Sequence, residues 1–125
     1  MTLYFDTKAQ FLDGNPVSTV CCWHLSHPLF AVASYDQNRG ASVTIFDDTG
    51  EPLRDVTFPV HSISQATALR FHPEKRILVA GWENAEINTW AAGNRVFSSL
   101  GGTHKGPIVY IGFSEKGQRM VTADS

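Results

Sequence analysis

Histidine is the residue type that most suggests chemistry in this sequence, because its imidazole binds metals and transfers protons near neutral pH. The chain has five histidines. They are His24, His27, His61, His72 and His104. Their positions repeat: His24 and His72 each follow an aromatic residue at the end of an apolar run, and His61 and His104 each precede such a run. No Cys-x-x-Cys or His-Glu-x-x-His spacing accompanies them, so the pattern predicts repeated architecture and no metal site.

The spacings that other catalytic sites require are also missing. A nucleophilic hydrolase needs Gly-x-Ser-x-Gly, and a nucleotide-dependent enzyme needs a glycine-rich loop between a strand and a helix. Gly101, Gly102 and Gly112 match neither motif. Asp47 and Asp48 are adjacent in a predicted turn, where carboxylates accept turn hydrogen bonds. We therefore expect no enzymatic activity, no cofactor and no small-molecule substrate.

Tryptophan supplies the remaining candidate site. Trp82 and Glu83 follow a strand-like run at a turn, and exposed tryptophan is a favoured contact residue at protein interfaces. Two interpretations of Trp82 stay open: it contacts a partner protein, or it packs back onto neighbouring structure. Trp23 and Trp90 lie within strand-like runs and are predicted to be core residues.

Composition narrows the class of protein. The chain has 125 residues, 42% of them hydrophobic, and a net charge of -2, which suits one globular core or part of one. Its basic residues are dispersed, so the patch that nucleic-acid binding needs is absent. No apolar run is long enough for a signal peptide or a membrane span, which predicts a soluble, cytosolic protein. Cys21 and Cys22 are adjacent and are predicted to be reduced packing residues.

A repeated unit organises the chain. An apolar run ends in an aromatic residue, a polar turn follows, and a second apolar run is under way about seven residues later. The three aromatics are Trp23, Phe71 and Phe113, about 42 to 48 residues apart, which is close to the period of a propeller blade. Turn residues separate the runs, and no helical period is present. The sequence therefore predicts an all-β fold, a β-propeller of four-stranded antiparallel blades.

The runs divide into about two and a half blades. Blade one is predicted at about 18–58, blade two at about 66–100, and a partial blade three at about 107–125. Residues 35–40 are predicted to form a longer hairpin loop, 53–58 and 95–100 the outer strands, and 1–9 a strand that closes the ring. The strand count is that of an incomplete propeller, so we expect that the chain stops inside a domain.

The blades resemble WD repeats. In that family a histidine before the first strand, a Ser or Thr on the second, an Asp in the next turn and a Trp on the third form a hydrogen-bonded set. The resemblance implies such roles for His61 and Trp90 in blade two and for His104 and Thr122 in blade three. It places the aspartate position of blade three just past Ser125.

A closer resemblance, to the N-terminal region of the intraflagellar transport protein 140 family, covers nearly the whole chain. It is carried by Leu3-Tyr4-Phe5-Asp6, Trp23-His24, His27-Pro28, Ala31-Val32-Ala33, His72-Pro73 and Val79-Ala80-Gly81-Trp82-Glu83 with Glu86. The chain departs from the family at Phe71, where tryptophan is expected. The resemblance implies a non-catalytic scaffold in the cytoplasm, the cilium and the ciliary base. Its implied partners are the other subunits of intraflagellar transport complex A, and its implied role is retrograde ciliary transport and cilium assembly.

Two alternatives to this interpretation stay open. One is a WD-repeat adaptor of another pathway, such as a vesicle coat or a ubiquitin-ligase substrate receptor. The other, from a different class, is a small β-rich hydrolase. The fold by itself does not decide among them, because propellers serve many functions.

Overall fold

The computed structural model describes residues 17–53, 64–92, 98–100 and 102–125, and every regular element in these ranges is a β-strand. The strands form antiparallel sheets of three, four and two strands in chain order. Their bounds are β1 Val17–Trp23, β2 Leu29–Asp36, β3 Gly40–Asp47, β4 Ala66–Phe71, β5 Ile77–Trp82, β6 Ile87–Ala91, β7 Ser98–Leu100, β8 Ile108–Phe113 and β9 Met120–Asp124. The predicted all-β fold and incomplete propeller are confirmed. We name the three sheets blades one, two and three.

The first strands of the blades lie side by side. β4 packs against β1, and β8 packs against both β4 and β5. Two apolar clusters result. The larger joins blades one and two and includes Leu29, Ile45, Leu78 and Trp90. The smaller joins blades two and three through Val79, Ile87, Ile108 and Ile111 among others. Blades one and two thus bury a face against each other, and so do blades two and three, as repeat units do.

The middle strand of blade two is covered on both faces. From Leu78 to Trp82 every residue of β5 is buried, which explains why this run is apolar without alternation. Gly81 lies where β5 meets the next blade, and a Cβ there would stand 2.5 Å from Cγ2 of Ile108. Blade three can therefore approach closely only because position 81 has no side chain.

A β-bulge recurs in the first strand of each blade. The register shifts between Ser18 and Val20 in β1, and at the same place in β4 and β8. In blade two the bulged residue is Thr67, whose hydroxyl donates to the Ile108 carbonyl at 2.5 Å. Because Ile108 begins β8, this bond ties the edge of blade two to blade three.

The hairpin at residues 35–40 differs from the prediction. β2 and β3 are eight residues each and stay paired down to Asp36 and Gly40, so the additional residues lengthen the strands. Asp36 Oδ1 closes the turn by accepting from the amides of Asn38 and Arg39 at 2.8 and 3.2 Å. The prediction of a longer loop is wrong, because the added residues continue the hydrogen-bonded ladder.

The outer strands are described in part. β7 of blade two pairs with β6 and lies within the predicted range 95–100. In blade one a bridge joins Phe46 to Pro52, and most of the predicted strand at 53–58 is outside the described residues. The predicted closing strand at 1–9 is outside them as well. The blade boundaries stay a prediction.

Candidate functional site

The first hairpin of blade one carries a buried histidine that reaches the next blade. His24 directly follows β1 and is 6% exposed. Its Nδ1 accepts hydrogen bonds from the amides of Ser26 and His27, both at 3.1 Å. Its Nε2 donates to the Lys75 carbonyl, in the first hairpin of blade two, at 2.7 Å. One ring therefore holds its own turn and the adjacent turn together.

Blade two repeats this arrangement at His72, which directly follows β4 and is 7% exposed. Nδ1 accepts from the amides of Glu74 and Lys75 at 3.1 and 2.9 Å. Nε2 donates to the Gly117 carbonyl, in the first hairpin of blade three, at 3.1 Å. We call each of these units an interblade latch: His24 with the Lys75 carbonyl, and His72 with the Gly117 carbonyl.

The geometry gives both rings the same arrangement of donor and acceptor nitrogens. Nδ1 faces two amide donors and must carry a lone pair, while Nε2 faces a carbonyl and must carry the proton. This assignment follows from the hydrogen-bond network. His24 and His72 thus act as structural bridges between blades, each accepting at Nδ1 and donating from Nε2.

The contact between blades one and two has additional polar bonds. Ser26 Oγ donates to the Pro73 carbonyl at 3.0 Å, and His27 Nε2 donates to the Glu74 carbonyl at 2.9 Å. Arg76 Nε in turn donates to His27 Nδ1 at 3.3 Å. Three successive carbonyls in the turn of blade two, those of Pro73, Glu74 and Lys75, therefore accept hydrogen bonds from the turn of blade one.

Blade three assembles a different polar set. His104 Nε2 lies 2.8 Å from Thr122 Oγ1, so the structure brings together these two residues named by the sequence. His104 Nδ1 lies 3.3 Å from Asp124 Oδ1. Sequence reasoning missed Asp124, because it placed the aspartate position past Ser125. The signal available was the alternation along β9, which puts Thr122 and Asp124 on one face.

Asp124 also organises the loop before β8. Its Oδ2 accepts from the amides of Lys105 and Gly106 at 2.9 and 3.2 Å. These two amides, followed by His104, lower the pKa of Asp124 to about 2. The carboxylate is therefore ionised across the physiological range and fixes the orientation of His104.

The repeated aromatics are not equivalent in their surroundings. Phe71 is 5% exposed, with its ring 5.1 Å from the His24 ring, and Phe113 stands 5.3 Å from the His72 ring. Trp23 is 65% exposed. Blade two covers the other face of β1, so within the described residues Trp23 is open to solvent, and its core position stays a prediction.

Trp82 is the tryptophan that the structure reassigns. It has no exposed surface and belongs to the cluster between blades one and two, where Trp90 is also buried. Its place at the end of β5, paired with Ala66, directs the indole into that cluster. Trp82 is therefore a packing residue, and its interpretation as an exposed contact is wrong.

Glu83 is exposed on the turn between β5 and β6. Two hydrogen bonds hold the backbone of this turn to the residues that precede β4. The Glu83 amide donates to the Gln65 carbonyl at 2.8 Å, and the Asn84 amide donates to Ser64 Oγ at 3.1 Å. The side chain of Glu83 is thus presented to solvent on a fixed backbone. His61, predicted as the partner of Trp90, lies outside the described residues.

Comparison with known families supplies the identity of this repeat. Residues 2–125 match the family model of the IFT140 first beta-propeller. The chain belongs to this family. The match covers both described interblade latches and the polar set of blade three, and it confirms the predicted resemblance to the N-terminal region of intraflagellar transport protein 140.

The described part of this IFT140-type propeller contains no cluster of three or more His, Cys, Asp and Glu side chains that could hold a metal ion. Asp47 accepts from Thr49 Oγ1, Thr49 N and Glu51 N at 2.6, 2.9 and 3.0 Å. The hydroxyl of Thr49 is the main cause that lowers the pKa of Asp47. Asp47 therefore serves turn hydrogen bonding, as predicted. Across the described ranges, no helix could cross a membrane.

The two cysteines of the IFT140-type propeller are free thiols with different surroundings. Cys21 is exposed, whereas Cys22 packs against the cluster between blades one and two. Burial, followed by the charge of Cys21, raises the pKa of Cys22 to about 12. Cys22 is thus a neutral packing residue, as predicted, whereas Cys21 lies on a strand but does not pack in the described structure, contrary to the prediction.

Proposed function

We propose that this chain acts as a non-catalytic, protein-binding scaffold of intraflagellar transport complex A. The observation that carries the proposal is the match to the IFT140 first beta-propeller over residues 2–125. The architecture supports it, because a propeller presents turns on a rigid ring of sheets and binds partners through those turns. Its mechanism is surface complementarity, without a covalent step.

The family membership supports a proposal for the cellular role. The scaffold works in retrograde ciliary transport and in cilium assembly, in the cytoplasm, at the ciliary base and in the cilium. Its partners are the other protein subunits of complex A. The interblade latches support this role, because they hold the blades in a fixed relation and so reduce the ordering that binding would otherwise require.

Within the described residues we propose Glu83 as a partner contact. It is exposed, and its turn is held by Gln65 and Ser64, so the carboxylate is presented without a large loss of backbone entropy on binding. A carboxylate in this position suits a cationic group on the partner.

Affinity purification of the tagged full-length protein from ciliated cells tests the scaffold proposal. Complex A subunits are expected to co-purify in constant proportion. Recovery of vesicle-coat or ubiquitin-ligase subunits in their place would contradict the assignment, and substrate turnover by the purified protein would support the hydrolase alternative.

The Glu83 contact needs a separate comparison. Glu83→Lys is expected to reduce recovery of a complex A subunit while the melting temperature stays the same. Glu74→Lys is the matched control, since Glu74 is exposed on a hairpin of the same blade. Equal recovery with both variants would remove Glu83 from the interface and leave the scaffold proposal standing.

A further inference from the structure

The turn between β1 and β2 presents an apolar side chain to solvent. Leu25 is 85% exposed, more than any other large apolar residue that the structure describes. The equivalent positions of blades two and three hold Pro73, a common turn residue, and the charged Glu115. Pro73 is half-buried and Glu115 is exposed, although each has a blade beside it. A neighbouring blade therefore does not enclose this position, and neither the turn nor the packing requires a leucine there.

The backbone around Leu25 is fixed by the polar side chains of its own turn. His24 accepts from the amides of Ser26 and His27 and donates to the Lys75 carbonyl. The side chains of Ser26 and His27 also donate to blade two. All three polar side chains are thus engaged with blade two, and Leu25 lies on a turn that is already ordered. Binding through such a residue loses little conformational entropy.

An anionic turn lies on one side of the turn that carries Leu25. The carbonyl of Leu29 accepts from the His24 amide at 2.9 Å, and Leu29 pairs with Asp47 across the sheet. The turn at 47–51 has three carboxylates and no cation: Asp47, Asp48 and Glu51. This side of the leucine is therefore negatively charged.

A cationic hairpin lies on the other side. Lys75 and Arg76 are exposed, and this hairpin has one carboxylate, Glu74. Arg76 is joined directly to the turn of Leu25, since its Nε donates to His27 Nδ1 at 3.3 Å. The turn of Leu25 therefore lies between two groups of opposite charge, in an arrangement that the hydrogen bonds between blades hold fixed.

We propose that Leu25 is an apolar anchor that inserts into a pocket on another protein subunit of complex A. A basic group beside the pocket faces the turn at 47–51, and an acidic group faces Lys75 and Arg76. Burial of the leucine supplies affinity, and the charges set the orientation in which it enters. This choice of partner rests on the proposed function, in which the chain is a complex A scaffold. An anionic lipid surface does not fit, because the three carboxylates would repel it.

Binding of the full-length protein to the other complex A subunits, purified together without it, measures the contribution of Leu25. Leu25→Ala is expected to raise the Kd about 10 to 100-fold, the factor that corresponds to the apolar surface removed from the contact. The melting temperature should not change, because Leu25 is exposed in the free protein. An unchanged Kd for Leu25→Ala would overturn the proposal.

Two controls accompany this variant. Leu25→Met keeps an apolar side chain of similar volume and should bind as the wild type does. Glu115→Ala, at the equivalent position of blade three, should also leave the Kd unchanged. An equal loss of affinity in Glu115→Ala and Leu25→Ala would overturn the specific role of the leucine.

Photo-crosslinking in assembled complex A identifies the occupant. A photoreactive leucine analogue at position 25 is expected to form an adduct with another complex A subunit. An adduct with a second copy of the chain, with a lipid or within the chain itself would overturn the proposal, as would a fully assembled complex without any adduct. In each of these cases the scaffold function still stands. Failure of the scaffold function differs, because the wild-type protein would then not associate with complex A subunits at all.

Discussion

Removal of the His72 imidazole should loosen blade three from blade two more than it affects blade one. His72→Ala deletes the bond to the Gly117 carbonyl, two turn bonds and the ring contact with Phe113. A net hydrogen bond contributes about 1 kcal/mol and an aromatic contact about 1 kcal/mol. Glu74 and Lys75 are exposed residues, so we expect water to replace most of the hydrogen bonds that their amides lose. We therefore expect His72→Ala to lower the free energy that holds blade three on blade two by about 2 to 3 kcal/mol.

A second variant separates the two roles of the ring. In His72→Asn the side-chain oxygen can occupy the place of Nδ1 and keep the turn, but it does not reach Gly117. We expect a cost of about 1 to 2 kcal/mol, because only the interblade part is lost. Glu74→Gln, in the same turn and exposed, is the matched control and should leave stability within about 0.5 kcal/mol.

Native-state amide hydrogen exchange of the full-length protein, read by mass spectrometry, measures these effects locally. For His72→Ala, protection in β8 and β9 should fall on the order of 30 to 150-fold, which is the factor that corresponds to about 2 to 3 kcal/mol. Protection in β2 and β3 should change far less. Unchanged protection in β8 and β9, or an equal loss in all three blades, would refute the latch as the local connection between blades.

Four further outcomes follow from the same structure. Trp82→Ala should lower the unfolding free energy of the full-length protein by about 3 to 5 kcal/mol in chemical denaturation, with partner binding lost only in proportion to unfolding. Gly81→Ala should lower the unfolding free energy by about 1 to 3 kcal/mol in the same measurement, because the added Cβ would overlap Ile108. Iodoacetamide at pH 8 should alkylate Cys21 and spare Cys22, whose pKa is raised to about 12, as peptide mapping would show. The folded structure lowers the pKa of Asp124 to about 2, so its carboxylate stabilises blade three fully above the unfolded pKa of 3.8. This contribution is lost as the pH falls towards 2. Asp124→Asn should remove that pH dependence in an acid titration followed by circular dichroism.

The tryptophans show where prediction from sequence stops. Strand-like patterning placed Trp23 and Trp90 in strands, and both do lie in strands. The same patterning does not say which face of a strand another blade covers. Trp90 is buried between blades one and two, whereas Trp23 occupies the opposite face of blade one. For Trp82, at the end of a strand, both interpretations stayed open until the packing of two blades was known.

Periodicity and the order of the motifs were enough to predict the repeat, the all-β class, the strands of each hairpin and the family. These follow from periodicity and from local turn chemistry, which depend on residues close together in the chain. Packing of the blades was needed to show which histidine bonds to which carbonyl, and that Trp82 is enclosed while Trp23 is exposed. Burial and long-range hydrogen bonds arise between blades, where the partners are more than 40 residues apart in the latches. The residue pattern within one repeat does not specify how two repeats pack against each other. These contacts are therefore visible only in the tertiary structure.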